Sequence, residues 1–341
     1  MALLSFLHRI VEGQELSPAE AEQAMSVILS GGASTSQIAA FLTALRMKGE
    51  TAGEILGFAR AMRAKVVRVD PGEDCGPLLD TCGTGGDERG TINVSTIAAF
   101  VVAGARVRVA KHGNRSISSR CGSADVLEAM GVRIAMPPER MARAVREVGI
   151  GFLFAPSLHP AMKYAQPARL ELKLRTVFNL LGPLTNPAGA RYQLAGAFSR
   201  EAAVLMAEAL AALGLERGFV VHGSDGMDEV TTTGPTLALE VRNGAVIQHT
   251  LTPGDFGVPS VLPGELKGGT CEENAGLMRS VLNGARGPRR DIVLVNAATA
   301  LVAAGAASSF AQGMTLAAGS VDSGAAWRKL EELARFSQQD A

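Results

Sequence analysis

Residue types that bind phosphate are concentrated in one stretch, Asp80 to Met130 (DTCGTGGDERGTINVSTIAAFVVAGARVRVAKHGNRSISSRCGSADVLEAM). It holds a glycine cluster at Gly83, Gly85 and Gly86 and hydroxyls at Ser95, Thr96, Ser116, Ser118 and Ser119. Glycine lets a backbone approach a ligand closely and adopt positive φ. Successive N–H groups in such a turn form a concavity for anions. A helix starting near Ser95 aims its free N–H groups and positive dipole end at the same place. Lys111 and Arg115 are expected to add mobile positive charge. An apolar run, Pro77 to Leu79, leads into the first polar loop, and another, Val107 to Ala110, leads into the second, Lys111 to Ser119. Two strand ends thus present one anion site. It is neither of the common phosphate loops. No Lys-Ser or Lys-Thr follows the glycines as G-x-x-x-x-G-K-[ST] requires, and Glu88 stands where the third glycine of G-x-G-x-x-G belongs.

Adjacent acids, Asp228 and Glu229, follow the strand-like run Phe219–His222 in HGSDGMDEV. Such a pair can hold a hard cation such as Mg2+, which takes oxygen ligands and keeps several waters. Taken alone, the pair is more often a solvated turn. A phosphate loop elsewhere shifts the balance, because a pyrophosphate leaving group needs its charge neutralised. His112, in KHGNR, and His159, before Pro160, have ordinary pKa values near neutrality and could shuttle a proton; His112 could equally shape its loop or contact substrate. No general base is assigned. Arg169 and Arg175, in the segment 152–189, compete for any carboxylate; a lone helical arginine otherwise reads as surface charge.

The elements that must carry these residues fall into two groups. Residues 1–66 read as four helices without a strand pattern, with capping boxes at Ser17/Glu20, Ser34/Gln37 and Thr51/Glu54. So short a helical unit exposes apolar surface and is expected to pack against something. After a connector, residues 77–341 alternate strand-like and helical runs. The strand-like runs are Pro77–Leu79, Val107–Ala110, Ile150–Phe154, Leu194–Phe198 and Phe219–His222. Leu237–Val241 and Ala245–Leu251 flank Arg242-Asn243-Gly244, a hairpin signal. Closing helices are expected at Glu272–Leu282, Ile292–Ala304 and Gly324–Phe336. The predicted class is α/β: a small N-terminal helical domain plus a large domain with a central, mostly parallel mixed sheet flanked by helices. Ligands of such sheets bind at the carboxyl ends of the strands, where both polar loops fall.

Composition excludes other classes. The 341 residues carry 33 basic and 33 acidic side chains, so nothing draws the chain generally to nucleic acid or anionic membrane. Hydrophobic residues make up 47% and aromatics 4%, so Ala, Leu and Val must build the core. Cys75, Cys82, Cys121 and Cys271 form no C-x-x-C pair and no zinc spacing, and are expected to be free thiols in a reducing cytoplasm. The start, MALLSFLHRIVEG, lacks the features of a targeting segment.

GTGGD, NVST and KHGNRSISS, in this order, resemble the anthranilate phosphoribosyltransferases of tryptophan biosynthesis. The resemblance continues through FLFAPSLHPAMKYAQPARLELKLRTVFNLLGPLTNPAG and HGSDGMDEV to GPRRDIVLVNAATAL. It implies transfer of the phosphoribosyl group of 5-phosphoribosyl 1-pyrophosphate to anthranilate. The phosphoribosyl donor would be held by Gly83, Gly86, Asp87, Thr91, Asn93, Val94, Ser95, Thr96, Lys111, His112, Gly113, Asn114, Arg115, Ser116, Ile117, Ser118, Ser119 and Ser123. Gly83, Asn114 and Arg169 would contact anthranilate, with Arg169 on its carboxylate. Asp228, Glu229 and Ser95 would hold Mg2+, two ions per subunit. The helical domain, joined by a helix near 160–180, would make a homodimer contact. The family commonly carries glycine where Lys173 stands. Two alternatives are a pyrimidine nucleoside phosphorylase, whose long TGGT-type signature is missing, and a non-catalytic nucleic-acid-binding relative, which the neutral charge disfavours.

Overall fold

The computed structural model describes residues 2–72, 75–116 and 120–339. Four helices come first: α1 (Ala2–Val11), α2 (Pro18–Leu29), α3 (Thr35–Lys48) and α4 (Ala52–Lys65). All three expected capping boxes form, so the N-terminal N–H groups of α2, α3 and α4 have side-chain partners.

The second group opens with β1 (Leu78–Gly83), α5 (Val94–Gly104), β2 (Arg108–Gly113), α6 (Ser123–Ala129), α7 (Pro138–Arg143) and β3 (Ile150–Phe154). Three short helices follow, α8 (Ala155–Leu158), α9 (Gln166–Leu172) and α10 (Phe178–Leu181). Then come β4 (Tyr192–Gly196), α11 (Arg200–Ala212), β5 (Arg217–Gly223), β6 (Thr236–Arg242) and β7 (Ala245–Leu251). The chain closes with α12 (Cys271–Leu282), α13 (Pro288–Ala303), α14 (Phe310–Asp322) and α15 (Ala325–Gln338).

The seven strands lie in the order β3-β2-β1-β4-β5-β6-β7. The first five are parallel, and β6 and β7 add antiparallel pairs, so the sheet is mostly parallel and mixed as expected. The β6–β7 hairpin turns through Asn243 (φ 52) and Gly244 (φ 78), both positive as a primed turn requires. The strand order reverses between β1 and β4. That switch point opens a crevice at their carboxyl ends.

Alternate residues feed two cores. Leu79, Leu194, Phe219 and Val221 join α5, α12, α13 and α15 on one face. Cys82, Ala195, Val220 and Leu239 join α11, α10, α9 and the four N-terminal helices on the other. The helical unit therefore buries its apolar surface against the sheet's own layer, with α4 packed on α11.

The structure departs from the sequence reading in four places. Strand β2 takes in Lys111, His112 and Gly113, expected in the second polar loop, because they pair in register with Phe152, Leu153 and Phe154 of β3. Strand β1 runs on through Asp80, Thr81 and Cys82 to Gly83, polar residues that hide a strand because their partners are internal. Helix α14 falls outside the expected closing helices: Gly313, Thr315 and Gly319 weaken its pattern, and Ser309 caps it by accepting from the Gln312 N–H. Cys121 and Cys271 are not free thiols but form a disulfide across 150 residues of chain, joining the end of the second polar loop to the first residue of α12. They pair because tertiary structure, not spacing, brings them together. Cys75 and Cys82 are free and buried.

Candidate active site

The glycine turn leaves β1 with Gly85 (φ 66) and Gly86 (φ 74) in the left-handed region. It is pinned from the sheet side: the Gly85 N–H donates to Asp228 Oδ2 at 2.8 Å. Asp228 and Glu229 sit on the loop after β5, two strands away. Glu229 Oε1 accepts the Ser95 N–H at 3.0 Å. A carboxylate thus occupies the positive end of α5, as the dipole favours. The side chain of the nominal cap, Asn93, makes no bond to the helix end. Its amide instead donates to the Cys121 carbonyl at 3.0 Å and accepts from Asn274 Nδ2 at 3.0 Å, tying the two polar loops to α12. Thr91 bridges to Lys267. Val94 and Thr96 are buried in the first turn of α5.

Three acids crowd this crevice. Burial, then the charge of Asp87, pushes the Asp228 carboxyl up to about 6. Burial, then Asp228, raises Glu229 well above the ordinary range, and Lys111 opposes it. Burial likewise raises Asp87. Buried carboxyls that repel one another are costly to ionise, and a bound cation would offset that cost. Among the described residues no group of three or more His, Cys, Asp or Glu could hold a metal ion on its own. Two adjacent carboxylates, one of them bonded to the backbone of the hydroxyl-bearing Ser95, nevertheless suit Mg2+, which takes oxygen ligands and keeps several waters.

Lys111 is not the mobile charge expected. Its side chain is buried in β2, and the ammonium donates to the Thr81 carbonyl and, at 3.3 Å, to Ser95 Oγ. Burial lowers its pKa. It is a fixed cation beneath the first turn of α5. Arg115 is tethered too: its guanidinium bonds Asp125 at 2.8 Å and Glu128 at 2.8 Å, both on α6, and lies over the Phe154 ring. Asp125 also accepts the Ser116 N–H at 3.1 Å and the Gly122 N–H at 2.9 Å, while Ser123 Oγ donates to the Asn114 carbonyl. Asn114 is exposed beside Gly113 at the end of β2. Ile117, Ser118 and Ser119 lie outside the described residues.

His112 and His159 form a buried pair, Nε2 to Nε2 at 3.2 Å. His112 Nδ1 faces the Gly182 carbonyl at 3.1 Å, so it carries the proton and donates. His112 Nε2 is then the acceptor and His159 the donor. Burial depresses His112 to about 3 and His159 to about 4, so both are neutral near pH 7. Both nitrogens of His112 are committed, which removes it as a proton shuttle.

Arg169, on α9, is half-buried with its guanidinium over Phe178, 5.3 Å from the ring centroid. Burial lowers its pKa, and no carboxylate pairs with it among the described residues. A partly desolvated cation without a counter-charge is costly. A planar guanidinium in that state is ready for a carboxylate ligand. Arg175, its competitor, is already engaged with the glycine turn, donating to the Gly86 carbonyl and lying 3.3 Å from Glu88.

Part of the frame around the site carries no sequence motif. Asp80, fully buried in β1, accepts the His112 N–H at 3.0 Å and Asn186 Nδ2 at 2.7 Å. Asn186 also donates to the Ala110 carbonyl at 2.9 Å, stitching β1, β2 and the loop before β4 together. Gly196 ends β4 against the backbone of Asp228, with no room for a Cβ. Asp225 accepts from Thr231 Oγ1 at 2.7 Å and Thr233 Oγ1 at 2.6 Å, bracing the acid-pair turn. A glycine closing a strand at the switch point was the one visible signal.

Known proteins match along the whole length. Residues 75–327 fit the glycosyl transferase family, a/b domain, and residues 4–66 fit the glycosyl transferase family, helical bundle domain. The chain is 66% identical over 337 residues to an anthranilate phosphoribosyltransferase of Solibacter usitatus, covering 99% of each, and 55% identical to one of Moorella thermoacetica, covering 96% of each. The crystal structure of the anthranilate phosphoribosyltransferase of Thermus thermophilus superposes with a TM-score of 0.92 at 45% identity, covering 98% of this chain and 99% of that one. The Saccharomyces cerevisiae enzyme in complex with PRPP and Mg gives 0.89 at 29% identity, covering 98% and 97%. With a shared fold and sequence identity far above the level at which families diverge, the chain belongs to the anthranilate phosphoribosyltransferase family.

Proposed function

We propose that this chain joins anthranilate to 5-phosphoribosyl 1-pyrophosphate, giving N-(5-phosphoribosyl)anthranilate and pyrophosphate, as a cytoplasmic step of tryptophan biosynthesis. The observation that carries the reading is the convergence at the β1–β4 switch point. There the glycine turn, the first turn of α5 and the Asp228–Glu229 pair meet through the Gly85 and Ser95 hydrogen bonds. In the reaction the aromatic amine forms a bond to the anomeric carbon as the bond to pyrophosphate breaks, and the amine loses a proton. The chain's contribution is positioning and charge neutralisation. Asp228, Glu229 and Ser95 would hold Mg2+, two ions per subunit, which supplies positive charge to the leaving pyrophosphate. Lys111 adds a fixed cation beneath the same donors. Gly83, Gly86, Asp87, Thr91, Asn93 to Thr96, Lys111 to Ser119 and Ser123 would hold the phosphoribosyl donor. Gly83 and Asn114 would flank anthranilate, and its carboxylate would meet Arg169.

The same reading makes the protein a homodimer through the helical unit. Large apolar side chains stay exposed on elements that pack together: Val11 on α1, Met47 on α3, Leu170 on α9 and Leu174 just after it.

Arg169→Ala tests the acceptor site. We expect the KM for anthranilate to rise about 10-fold or more, the loss of one charge-assisted hydrogen-bonding partner. The KM for 5-phosphoribosyl 1-pyrophosphate should stay within about two-fold. Equal effects on both would remove Arg169 from this role.

A further inference from the structure

The Gly85–Gly86 turn has almost no hydrogen bonding of its own. Two side chains from distant parts of the chain hold it. Asp228 takes the Gly85 N–H, and Arg175 takes the Gly86 carbonyl. Arg175 stands between α9 and α10, next to Val177 and Phe178, which are buried in the core shared with the N-terminal helices. Its guanidinium lies over Phe198, 4.9 Å from the ring centroid, just beyond β4. That ring fixes the arm. The ion pair with Glu88, 74% exposed at its side chain, adds little.

We propose that Arg175 is a positioning residue for 5-phosphoribosyl 1-pyrophosphate, acting through the glycine turn. Two adjacent left-handed glycines leave a turn with many accessible shapes. A guanidinium on the Gly86 carbonyl selects one. In a trans peptide the N–H points opposite to the carbonyl, so the Asp87 N–H is turned away from Arg175 and freed for an anion. The guanidinium belongs to the segment that also carries Arg169, so the donor cradle and the acceptor's arginine are referenced to one piece of chain.

The inference rests on the proposed reaction, and direct binding separates the two. Titrate wild type, Arg175→Ala and Arg175→Lys with Mg2+ and 5-phosphoribosyl 1-pyrophosphate by calorimetry, and measure both KM values. For Arg175→Ala we expect Kd and KM for the phosphoribosyl donor to rise about ten-fold, one charged hydrogen bond's worth. The anthranilate KM should stay within about two-fold, and Lys should recover part of the loss. An unchanged donor Kd overturns the inference, and so does a rise confined to the anthranilate KM, which would put Arg175 on the acceptor. No donor binding by wild type would sink the proposed reaction instead. If Arg175→Ala does not fold, Phe198→Leu carries the same test: removing the ring face should raise the donor Kd several-fold with the anthranilate KM unmoved, and no change overturns the inference.

Discussion

At Gly196 the chain has space for a hydrogen atom and nothing larger, because a Cβ there would overlap the backbone carbonyl oxygen of Asp228. The position is a direct lever on the acid pair. Gly196→Ala must push the Asp228–Glu229 turn away from β4, and with it the carboxylates that now hold the Gly85 and Ser95 N–H groups. Misplacement of about 1 Å at a reacting centre costs roughly 10²-fold in rate. We expect kcat/KM to fall by about that factor, with the Mg2+ concentration for half-maximal rate raised. Steady-state rates across a Mg2+ series decide it; a variant with wild-type metal dependence would show that the turn's placement does not matter. The remaining residue-scale chemistry divides between fixed and waiting groups. Lys111, Asp80 and the His112–His159 pair have their partners already. Arg169 has no carboxylate partner among the described residues, and burial, then Asp228, holds the Glu229 carboxyl well above its ordinary range.

At the scale of elements, α9 ends by placing Lys173 in the left-handed region, φ 49 and ψ 32, while its N–H still bonds the Arg169 carbonyl at 3.2 Å. Glycine takes that conformation without steric cost. Lys173 is exposed, and its side chain makes no hydrogen bond or ion pair among the described residues. Lys173→Gly is therefore expected to stabilise the protein by about 0.5 kcal/mol, the left-handed cost less glycine's greater freedom when unfolded. Denaturant midpoints would show it, and a destabilised variant would contradict it. The resemblance to a family that carries glycine here made this position legible in the sequence. So were the capping boxes, whose Ser17, Ser34 and Thr51 act within one turn, and the Asn243-Gly244 hairpin, which is set by two adjacent residues. What stayed hidden depends on distant partners. Arg175 and the Gly86 carbonyl are far apart in sequence, as are Cys121 and Cys271. Asn186 reads as an ordinary turn residue until Asp80 is seen buried beside it. The phosphate loops were recognisable by residue type; that their own acids and cations are tied to one another was not.

For the molecule as a whole, equal numbers of acidic and basic side chains leave no long-range field to gather a substrate. Anion affinity must come from local geometry, and the switch point supplies it. No helix among the described residues is long and apolar enough to cross a membrane. The exposed apolar side chains of α1, α3 and α9 predict self-association. Light scattering at micromolar concentration should give twice the chain mass, and Met47→Glu with Leu170→Glu should halve it; a monomeric wild type would contradict the dimer. The reaction itself is tested by following anthranilate fluorescence after mixing the protein with 5-phosphoribosyl 1-pyrophosphate and Mg2+, with pyrophosphate assayed in parallel. Fluorescence should fall, one pyrophosphate should appear per anthranilate consumed, and EDTA should stop both. Folded protein that leaves anthranilate untouched while binding the phosphoribosyl donor would contradict the assignment of the acceptor.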